Sequence, residues 1–442
     1  MNTTTITIGP KACLPARQAP EMPATRASLP PRVGSTKFKL LAIVDSPTRN
    51  TGFACVGKNL LPLWQPHFER IDVWGINHDG WPHEFPWRIF PGGMDFSDNE
   101  KRVRLLNGII DSDYTHVWVL NDSFVLSRDG FAQNLRLACD TSASRPKLVV
   151  YFPVDASQEK SWMRIARVAD AAVTYTDYGV EQVLHADPDV KNLSVIPHGV
   201  DTKVFRPLGE RERIALREEF FPDWKPSDVV LVNVNRNERR KGMVHSLQVL
   251  MELKALGVPA KLHLHTPIKN GNEQIDLRRV AEQIGVSPED WQTTGDAVFE
   301  GGVGLFPESR LNELYNAADF CLSTSYGEGW GFSLTEAAAA GIQVVCPAHT
   351  SCEEIAHHFD VHGRCKQFVL APLSRSAVTN VSDNSRVRFP IDPVEAAMRI
   401  SLQPRQKFPP LDGMLKEWLS WERIAEAWME VFQSVKSESV NQ

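Results

Sequence analysis

Short apolar runs alternate with longer amphipathic segments along the first half of the chain. The first run, 38–44, is rich in strand-forming residues, and a polar loop and a helical pattern extending to Leu60 follow it. Later strand-like runs are separated by enough residues to form helices, and they lie at 70–74, 116–120, 147–152, 172–175 and 193–196. This alternation predicts a parallel sheet covered by helices.

The same alternation begins again after Pro207. Residues 229–234 are a predicted buried strand, and predicted helices near 245–256 and 276–284 are interleaved with predicted strands at 261–265, 320–323 and 343–346. The pattern predicts an α/β protein with two doubly wound, Rossmann-like domains that face each other across a cleft. Open α/β sheets bind ligands at the carboxyl ends of their strands, so the cleft is the expected ligand site.

The chain of 442 residues is long enough for at least two domains. A Pro-His-Gly turn at 197–199 places the boundary between them near 201–207. Residues 1–36 are rich in Thr, Pro and Ala and are predicted to be a flexible tail, with an organelle transit peptide as the alternative. We therefore predict a tail (1–36), two domains (37–203 and 204–412) and a C-terminal helix (413–442) that packs back on the N-terminal domain.

Charge and cysteine usage narrow the class of protein. A net charge of −6 gives no general attraction to nucleic acid or anionic lipid, although a small basic cluster lies near Arg102. Seven cysteines without metal-ligand spacing indicate reduced thiols in a cytoplasmic enzyme, and no apolar run approaches the ~18 residues of a membrane span. His263 and His265 share one side of a predicted strand without a third ligand, so we predict no metal site.

The segment 325–341 carries the most informative pattern, a glycine-rich loop that leads into an alanine-rich helix. Three glycines in the loop allow backbone to approach a ligand closely, and the helix start offers unpaired N–H groups to an anion. Glu328 in the loop and Glu336 on the helix can accept hydrogen bonds from a sugar and from a ribose. The alternative is ordinary loop and helix-start chemistry, where glycine and glutamate are both common.

A basic loop follows the predicted strand 229–234. Arg236 and Lys241 are five residues apart in this loop, and two fixed cations stabilise a departing diphosphate as its negative charge grows. The alternative is a solvated basic loop, which is the interpretation we favour for Arg239 and Arg240.

These motifs together resemble a known family. Arg236 with Lys241-Gly242, the segment 313–319, and Glu328 with Glu336 are similar to the donor-binding domain of retaining glycosyltransferases with the GT-B fold. This is the large group of mannosyl- and glucosyltransferases described as group 1. The resemblance extends over about 37–432, is strongest over 229–356, and implies that the N-terminal domain binds the acceptor and the second domain binds the donor.

The resemblance implies a role for particular residues of the donor domain. Glu336 would bind the nucleotide ribose, Glu328 the hydroxyls of the donor sugar, and Arg236 and Lys241 the diphosphate. The backbone of five consecutive residues would complete the cradle, and these are Gly329, Trp330, Gly331, Phe332 and Ser333.

In the N-terminal domain the match to the family is looser. Thr51-Gly52 stands where the family usually has two glycines that approach the donor. Asp155 falls where many relatives place a histidine near the reacting carbon, which makes it a candidate catalytic residue. His198 is interpreted as a structural hinge residue, with a catalytic base as the alternative.

The implied activity is a cytoplasmic, metal-independent, retaining transfer of a hexose from a UDP- or GDP-sugar to a hydroxyl group of a glycan or small molecule. The sugar nucleotide is a co-substrate, and no cofactor is expected. Alternatives are a sugar phosphorylase or synthase, a catalytically silent sugar-nucleotide-binding protein, and an enzyme that glycosylates modified DNA bases.

The sequence does not decide which residues bind the acceptor. Asn121 and Asp122 either face the acceptor or form an ordinary Asx turn. Aromatic side chains of the N-terminal domain either stack on a sugar or base or belong to the core, and these are Trp74, His78, Trp81, Trp87 and Trp118.

Overall fold

The computed structural model describes residues 38–94, 96–269, 275–295, 306–379 and 384–435. These residues belong to one compact unit that begins at Phe38. The predicted tail, 1–36, lies outside the described residues.

The N-terminal lobe is a parallel sheet covered by helices. Its strands run in the order β3-β2-β1-β4-β5-β6-β7, and every pair is parallel. The strands are β1 (Phe38–Asp45), β2 (Phe68–Ile76), β3 (Arg88–Pro91), β4 (His116–Leu120), β5 (Lys147–Tyr151), β6 (Ala171–Thr174) and β7 (Leu193–Val195). The helices are α1 (Gly52–Trp64), α2 (Asn99–Ile110), α3 (Ser123–Leu126), α4 (Phe131–Thr141), α5 (Arg164–Val168) and α6 (Asp177–Ala186).

The second lobe repeats this arrangement. Its strand order is β10-β9-β8-β11-β12-β13, again parallel throughout. The strands are β8 (Val229–Val234), β9 (Ala260–His265), β10 (Trp291–Thr293), β11 (Phe320–Leu322), β12 (Gln343–Pro347) and β13 (Phe368–Ala371). The helices are α7 (Glu210–Phe220), α8 (Met243–Ala255), α9 (Leu277–Ile284), α10 (Glu308–Ala317), α11 (Phe332–Ala339), α12 (Thr350–Val361) and α13 (Pro393–Ser401).

The predicted fold class is confirmed, because two doubly wound parallel sheets form and the predicted strands are present. The strands that the pattern missed are β3, β10 and β13, which all lie at sheet edges. Edge strands are short and only half covered, so their sequences lack the continuous apolar run of a central strand. Residues 201–207, where we predicted the domain boundary, lie between β7 and α7.

The C-terminal segment forms two helices rather than the single helix that we predicted. These are α14 (Gly413–Trp418) and α15 (Trp421–Ser434), and the Ser420 side chain caps α15 by accepting a hydrogen bond from the Arg423 N–H at 3.2 Å. Serine at such a position favours a new helix start over continuation of the first helix.

Helix α15 packs on the N-terminal lobe through aromatic side chains. Trp428 and Phe432 lie edge-on to Trp64, with ring centroids 6.0 and 5.2 Å away, and Trp428 also contacts Trp118 at 5.8 Å. His116 Nε2 lies 3.0 Å from the Phe432 carbonyl oxygen. The end of the described chain therefore completes the core of the first lobe.

Two further properties bear on the sequence predictions. Among helices built from described residues, none combines the length and the apolar character that a membrane crossing needs. The six described cysteines form no disulfide with one another.

Candidate functional site

The basic loop that follows β8 reaches the glycine-rich loop that precedes α11. Gly242 ends a short 3-10 turn with a φ of 65°, which favours glycine. A Cβ atom at Gly242 would also collide with the Thr324 carbonyl oxygen. The two loops are thus held in direct contact at the carboxyl edge of the second sheet, where ligands bind in folds of this class.

Lys241 and Glu328 form a buried ion pair at this contact. Lys241 Nζ lies 2.5 Å from Glu328 Oε1, and the two side chains are only 12% and 8% exposed. Burial alone would raise the pKa of Glu328, but the positive charges of Lys241 and Arg240 outweigh it and lower that pKa. The structure therefore brings two of the predicted site residues together, with Glu328 ionised at neutral pH.

Our prediction that Arg240 is a solvated residue is wrong. Its guanidinium donates to the Gly327 carbonyl oxygen at 2.7 Å and lies 3.6 Å from Glu328 and 3.5 Å from Asp155. Three nearby acceptors make this side chain part of the site, although the adjacent Arg239 is exposed, as expected. Sequence spacing gave no signal for it because Arg239 and Arg240 differ only in which way they point.

Arg236 is placed at the edge of the site and is largely exposed. Its guanidinium lies 3.0 Å from Glu238, and 71% of the side chain is exposed. Its charge nevertheless acts on both lobes: burial raises the pKa of Asp45 and Arg236 opposes this rise, while burial lowers the pKa of Lys241 and Arg236 adds slightly to that fall. Arg236 therefore stands at the mouth of the space between the lobes.

Glu336 lies on the first turns of α11, half-buried, and accepts a hydrogen bond from the Tyr315 hydroxyl at 3.1 Å. Burial, with a smaller contribution from Glu308, raises the pKa of Glu336 to about 7. Helix α11 begins at Gly331, whose φ is 96° and which provides no side-chain cap. The Leu334 N–H donates to the Gly331 carbonyl oxygen at 3.0 Å, and the N–H groups of Phe332 and Ser333 before it are left for an anion.

Two of the three glycines serve a purpose that we did not predict. A Cβ atom at Gly327 would collide with the Asp155 carbonyl oxygen, and one at Gly329 would lie 2.7 Å from the Pro153 Cβ atom. Pro153 and Asp155 belong to the segment after β5 of the other lobe. These glycines therefore allow the two lobes to approach each other, whereas the sequence suggested a close approach to ligand.

Of the remaining residues predicted to form the cradle, some lie in the core and others at the cleft. Trp330 is buried and packs on Trp418, with centroids 5.6 Å apart, while its carbonyl oxygen accepts from Ser351 at 2.7 Å. The Phe332 ring lies 3.8 Å from where a Cβ atom at Gly52 of the first lobe would stand. The Ser333 carbonyl oxygen accepts a weak hydrogen bond from the Cys321 thiol. The side chain of Trp330 is thus part of the core, and it can contribute to a cradle through its backbone only.

Across the cleft, Thr51 caps α1 by accepting from the Ala54 N–H at 3.1 Å and donates to Asp45 Oδ2 at 2.5 Å. The threonine that replaces a family glycine is therefore the N-cap of the helix. Asp45, which we did not single out, also accepts from Asn77 Nδ2 at 3.1 Å. Its position directly at the end of a buried strand is the signal that could have identified it.

Asp155 is held by three arginines. It lies 2.6 Å from Arg386 and 3.2 Å from Arg388, in addition to Arg240. Burial acts to raise its pKa, but these cations outweigh burial and lower the pKa to about 2. Such a carboxylate stays ionised and is poorly suited to accept a proton. Arg386 and Arg388 follow β13 in the chain, and no sequence pattern pointed to them.

His198 is enclosed by aromatic rings. Its ring stacks on Phe332 at 5.0 Å with an interplanar angle of 8°, and Nδ1 lies 3.0 Å from the Tyr151 hydroxyl. Burial lowers its pKa to about 3, so the ring is neutral at physiological pH. These surroundings favour the structural interpretation over a catalytic base.

Asn121 and Asp122 lie at the end of β4, where the Asn121 Oδ1 atom accepts from the Asp122 N–H at 2.7 Å. Burial and the nearby charge of Asp155 raise the pKa of Asp122 to about 6. The two histidines of β9 both contact Thr294 Oγ1, His263 at 3.0 Å and His265 at 2.7 Å. Within the described residues, no group of three potential ligands is arranged to hold a metal ion.

Comparisons with known proteins agree with this geometry. Residues 228–379 match the family model described as Glycosyl transferases group 1. The D-inositol 3-phosphate glycosyltransferase of Mycobacterium ulcerans is 26% identical over 252 residues, which cover 54% of this chain and 49% of that protein. The protein of the same name from Mycolicibacterium smegmatis is 29% identical over 250 residues, with 54% and 52% covered. The chain spans about half the length of the curated relatives it matches.

Solved structures show the same fold. The Anabaena protein HepE, in complex with UDP and glucose, aligns with a TM-score of 0.58 at 14% identity, covering 90% of this chain and 97% of that one. Sucrose-phosphate synthase from Thermosynechococcus elongatus aligns with a TM-score of 0.59 at 14% identity, covering 90% and 95%.

The two parallel, doubly wound sheets and these structural matches define the GT-B fold. The match to the model of group 1 glycosyltransferases lies on the lobe that carries Lys241, Glu328 and Glu336. The resemblance predicted from the sequence is therefore confirmed.

Proposed function

We propose that the protein transfers a hexose from a UDP- or GDP-sugar to a hydroxyl acceptor with retention of anomeric configuration and without a metal ion. The observation that carries this proposal is the buried Lys241–Glu328 pair beside the uncapped start of α11. A cation, a carboxylate and free backbone N–H groups in one place match the diphosphate and the hydroxyls of a sugar nucleotide. The chain's similarity to group 1 glycosyltransferases supports the same conclusion.

In the proposed mechanism Lys241 and Arg236 stabilise the diphosphate as it leaves. The bond between the anomeric carbon and the phosphate oxygen breaks, and a bond from the acceptor oxygen to the same face of that carbon forms. The acceptor proton passes to a donor phosphate oxygen, so no side chain has to act as nucleophile or base. The permanently ionised Asp155 and the neutral, enclosed His198 are consistent with this route.

Glu328 and Glu336 position the donor in this proposal. Glu328 accepts from hydroxyls of the sugar while it retains its contact with Lys241, and Glu336 accepts from the ribose. The backbone of Gly329, Trp330, Gly331, Phe332 and Ser333, together with Gly52 from the opposite lobe, completes the enclosure. The acceptor class, a hydroxyl group of a glycan or small molecule, and the cytoplasmic location stay predictions.

Thermal unfolding in the presence of UDP-glucose, UDP-galactose, GDP-mannose and the free nucleotides tests donor binding. A donor at ~100 times its Kd should add about 2.7 kcal/mol to the free energy of unfolding. Glu328→Gln should remove the extra stabilisation that a sugar nucleotide gives over the free nucleotide. The absence of stabilisation by every sugar nucleotide would refute the proposal.

Activity with the stabilising donor then separates the remaining alternatives. Transfer that persists in EDTA, with the donor's anomeric configuration in the product by NMR, supports the metal-independent, retaining reaction. Donor binding without release of nucleotide in the presence of any acceptor would favour the catalytically silent alternative instead.

A further inference from the structure

Trp81 differs from the other tryptophans of this protein. All twelve tryptophans lie within the described residues, and Trp81 alone among them is exposed, with 45% of its surface accessible. Three aromatic residues that the sequence offered as stacking candidates, Trp74, Trp87 and Trp118, are buried in the core. An exposed indole on a loop needs an explanation that core packing does not give.

One face of the indole is occupied and supported. The Arg49 guanidinium lies over the Trp81 ring, 5.5 Å from its centroid. The His78 ring meets Trp81 edge-on, with centroids 5.8 Å apart and an interplanar angle of 86°. These contacts hold the ring in place, so that a ligand would meet a rigid surface and lose little conformational entropy on binding.

Polar groups beside the ring lack partners. The Arg49 side chain makes no hydrogen bond or ion pair with any residue that the structure describes, although a guanidinium has five N–H donors. His78 is 1% exposed, and its Nδ1 atom is buried without a hydrogen-bond partner among the described residues. The His78 atom is enclosed and cannot reach a ligand, so the surface that remains is the exposed indole with the Arg49 guanidinium against it. Such a surface is suited to a ligand that has an apolar face rimmed by hydroxyl groups.

The Trp81 loop is tied to the proposed donor site. Asn77, directly before His78, donates to Asp45, and Asp45 in turn accepts from Thr51. Thr51 is followed by Gly52, and the Phe332 ring of the second lobe lies 3.8 Å from where a Cβ atom at Gly52 would stand. These hydrogen bonds lie at the carboxyl ends of β1 and β2. This edge of the sheet faces Arg236 of the second lobe. A ligand on Trp81 would therefore lie on the acceptor side of the cleft.

We propose that Trp81 and Arg49 bind a pyranose ring of the acceptor, so that the hexose is transferred to a saccharide or glycoside. The C–H face of the pyranose packs on the part of the indole that Arg49 and His78 leave exposed, and Arg49 holds the indole in place from its occupied face. This inference rests on the proposed function, because it names the acceptor class of that reaction. An acyclic polyol or simple alcohol has no such face and gains nothing from the surface.

The first test uses the full chain labelled with 5-fluorotryptophan and observed by fluorine NMR. Trp81→Phe identifies the Trp81 resonance by its loss. In the presence of UDP or GDP, the methyl pyranosides of glucose, mannose and galactose are titrated, with glycerol as the acyclic probe. We expect at least one pyranoside to shift this resonance, glycerol to leave it unchanged, and Arg49→Met to weaken the response. A Trp81 resonance that no pyranoside moves would overturn the inference.

The second test measures transfer to the pyranoside that binds. Trp81→Ala should raise the KM for this acceptor about tenfold, because an aromatic contact of this size contributes roughly one power of ten in affinity. Sugar nucleotide should stabilise the Trp81→Ala variant against thermal unfolding as much as it stabilises the unmodified protein. Leu137→Ala, which truncates an exposed apolar residue on α4 of the same lobe, should change neither quantity.

The two proposals fail in different ways. If no sugar nucleotide stabilises the protein, the proposed function fails, and the fluorine titration still reports on Trp81 by itself. If sugar nucleotides stabilise the protein but Trp81→Ala weakens that stabilisation, Trp81 belongs to the donor side and the acceptor inference is wrong. An unchanged KM in Trp81→Ala with donor binding intact would also refute it.

Discussion

The two lobes have equivalent strand orders. They differ in whether the side chains at the carboxyl ends of their strands already have protein partners. On the second lobe the candidate side chains already have protein partners, Lys241 with Glu328 and Tyr315 with Glu336. On the first lobe Arg49 and Asp122 make no side-chain hydrogen bond or ion pair with the described residues. The edge of the proposed donor site is therefore organised before any ligand binds. The opposite edge has paired groups too, Asp45 and Asp155, but it leaves Arg49 and Asp122 for a ligand to satisfy.

The largest effect we expect concerns how the first lobe completes its core. Trp428 is fully buried between Trp64 and Trp118, so Trp428→Ala should lower the free energy of unfolding by roughly 3–5 kcal/mol. Urea unfolding monitored by circular dichroism measures this change. Met414→Ala, at an exposed position of α14, is the matched control and should cost little. A small loss in Trp428→Ala would mean that the first lobe does not depend on α15.

Lys241→Ala tests whether the donor edge carries the chemistry. Loss of a fixed cation at a leaving diphosphate should lower kcat about 10²–10³-fold. Steady-state nucleotide release measures the change. Arg239→Ala removes an exposed cation from the same loop and should retain most of the activity. Equal losses in the two variants would indicate that general positive charge, rather than the site around Glu328, is what the reaction needs.

Gly329→Ala tests the close approach of the lobes. Its new Cβ atom would lie 2.7 Å from the Pro153 Cβ atom, so one segment has to move, and the free energy of unfolding should fall by roughly 1–3 kcal/mol. Gly108→Ala is the control, because no atom lies within 4 Å of its Cβ position and the residue is in a helix. That variant should gain about 0.5–1 kcal/mol. Chemical denaturation of the two proteins side by side gives both values.

The smallest effect is a pH dependence from Glu336. Its pKa of about 7 means that half of these carboxyls are protonated near neutral pH, and only the ionised form accepts from both ribose hydroxyls. Donor affinity should therefore rise with pH up to about 7 and fall up to about tenfold for each unit below it. Calorimetric titration of a sugar nucleotide between about pH 5.5 and 8.5 measures this.

Glu336→Gln should bind more weakly and remove most of this pH dependence. The same raised pKa makes the folded protein hold a proton that the unfolded chain releases, so Glu336 lowers stability as the pH rises from about 4.5 to about 7. A pH dependence of donor affinity that survives in Glu336→Gln would assign it to another group.

Most of the architecture could be predicted because central parallel strands are buried on both faces and have unmistakable apolar runs. Glu328 and Lys241 could be singled out because loop, charge and helix start follow one another in the sequence. Arg386 and Arg388 could not, since their partner Asp155 lies more than 200 positions away in the chain. The opposite orientations of Arg239 and Arg240, like the exposure of Trp81 among buried tryptophans, depend on tertiary contacts that local patterns do not encode.

The return of α15 to the first lobe means that the polypeptide crosses between the lobes twice. The two crossings run side by side, since the Val200 N–H donates to the Leu419 carbonyl oxygen at 2.8 Å and a Cβ atom at Gly199 would strike the Trp421 ring. Paired connections of this kind restrict twisting and leave bending about a single axis as the easiest relative motion. Opening of the cleft to admit substrates would then be a rotation of one lobe against the other about a single hinge axis.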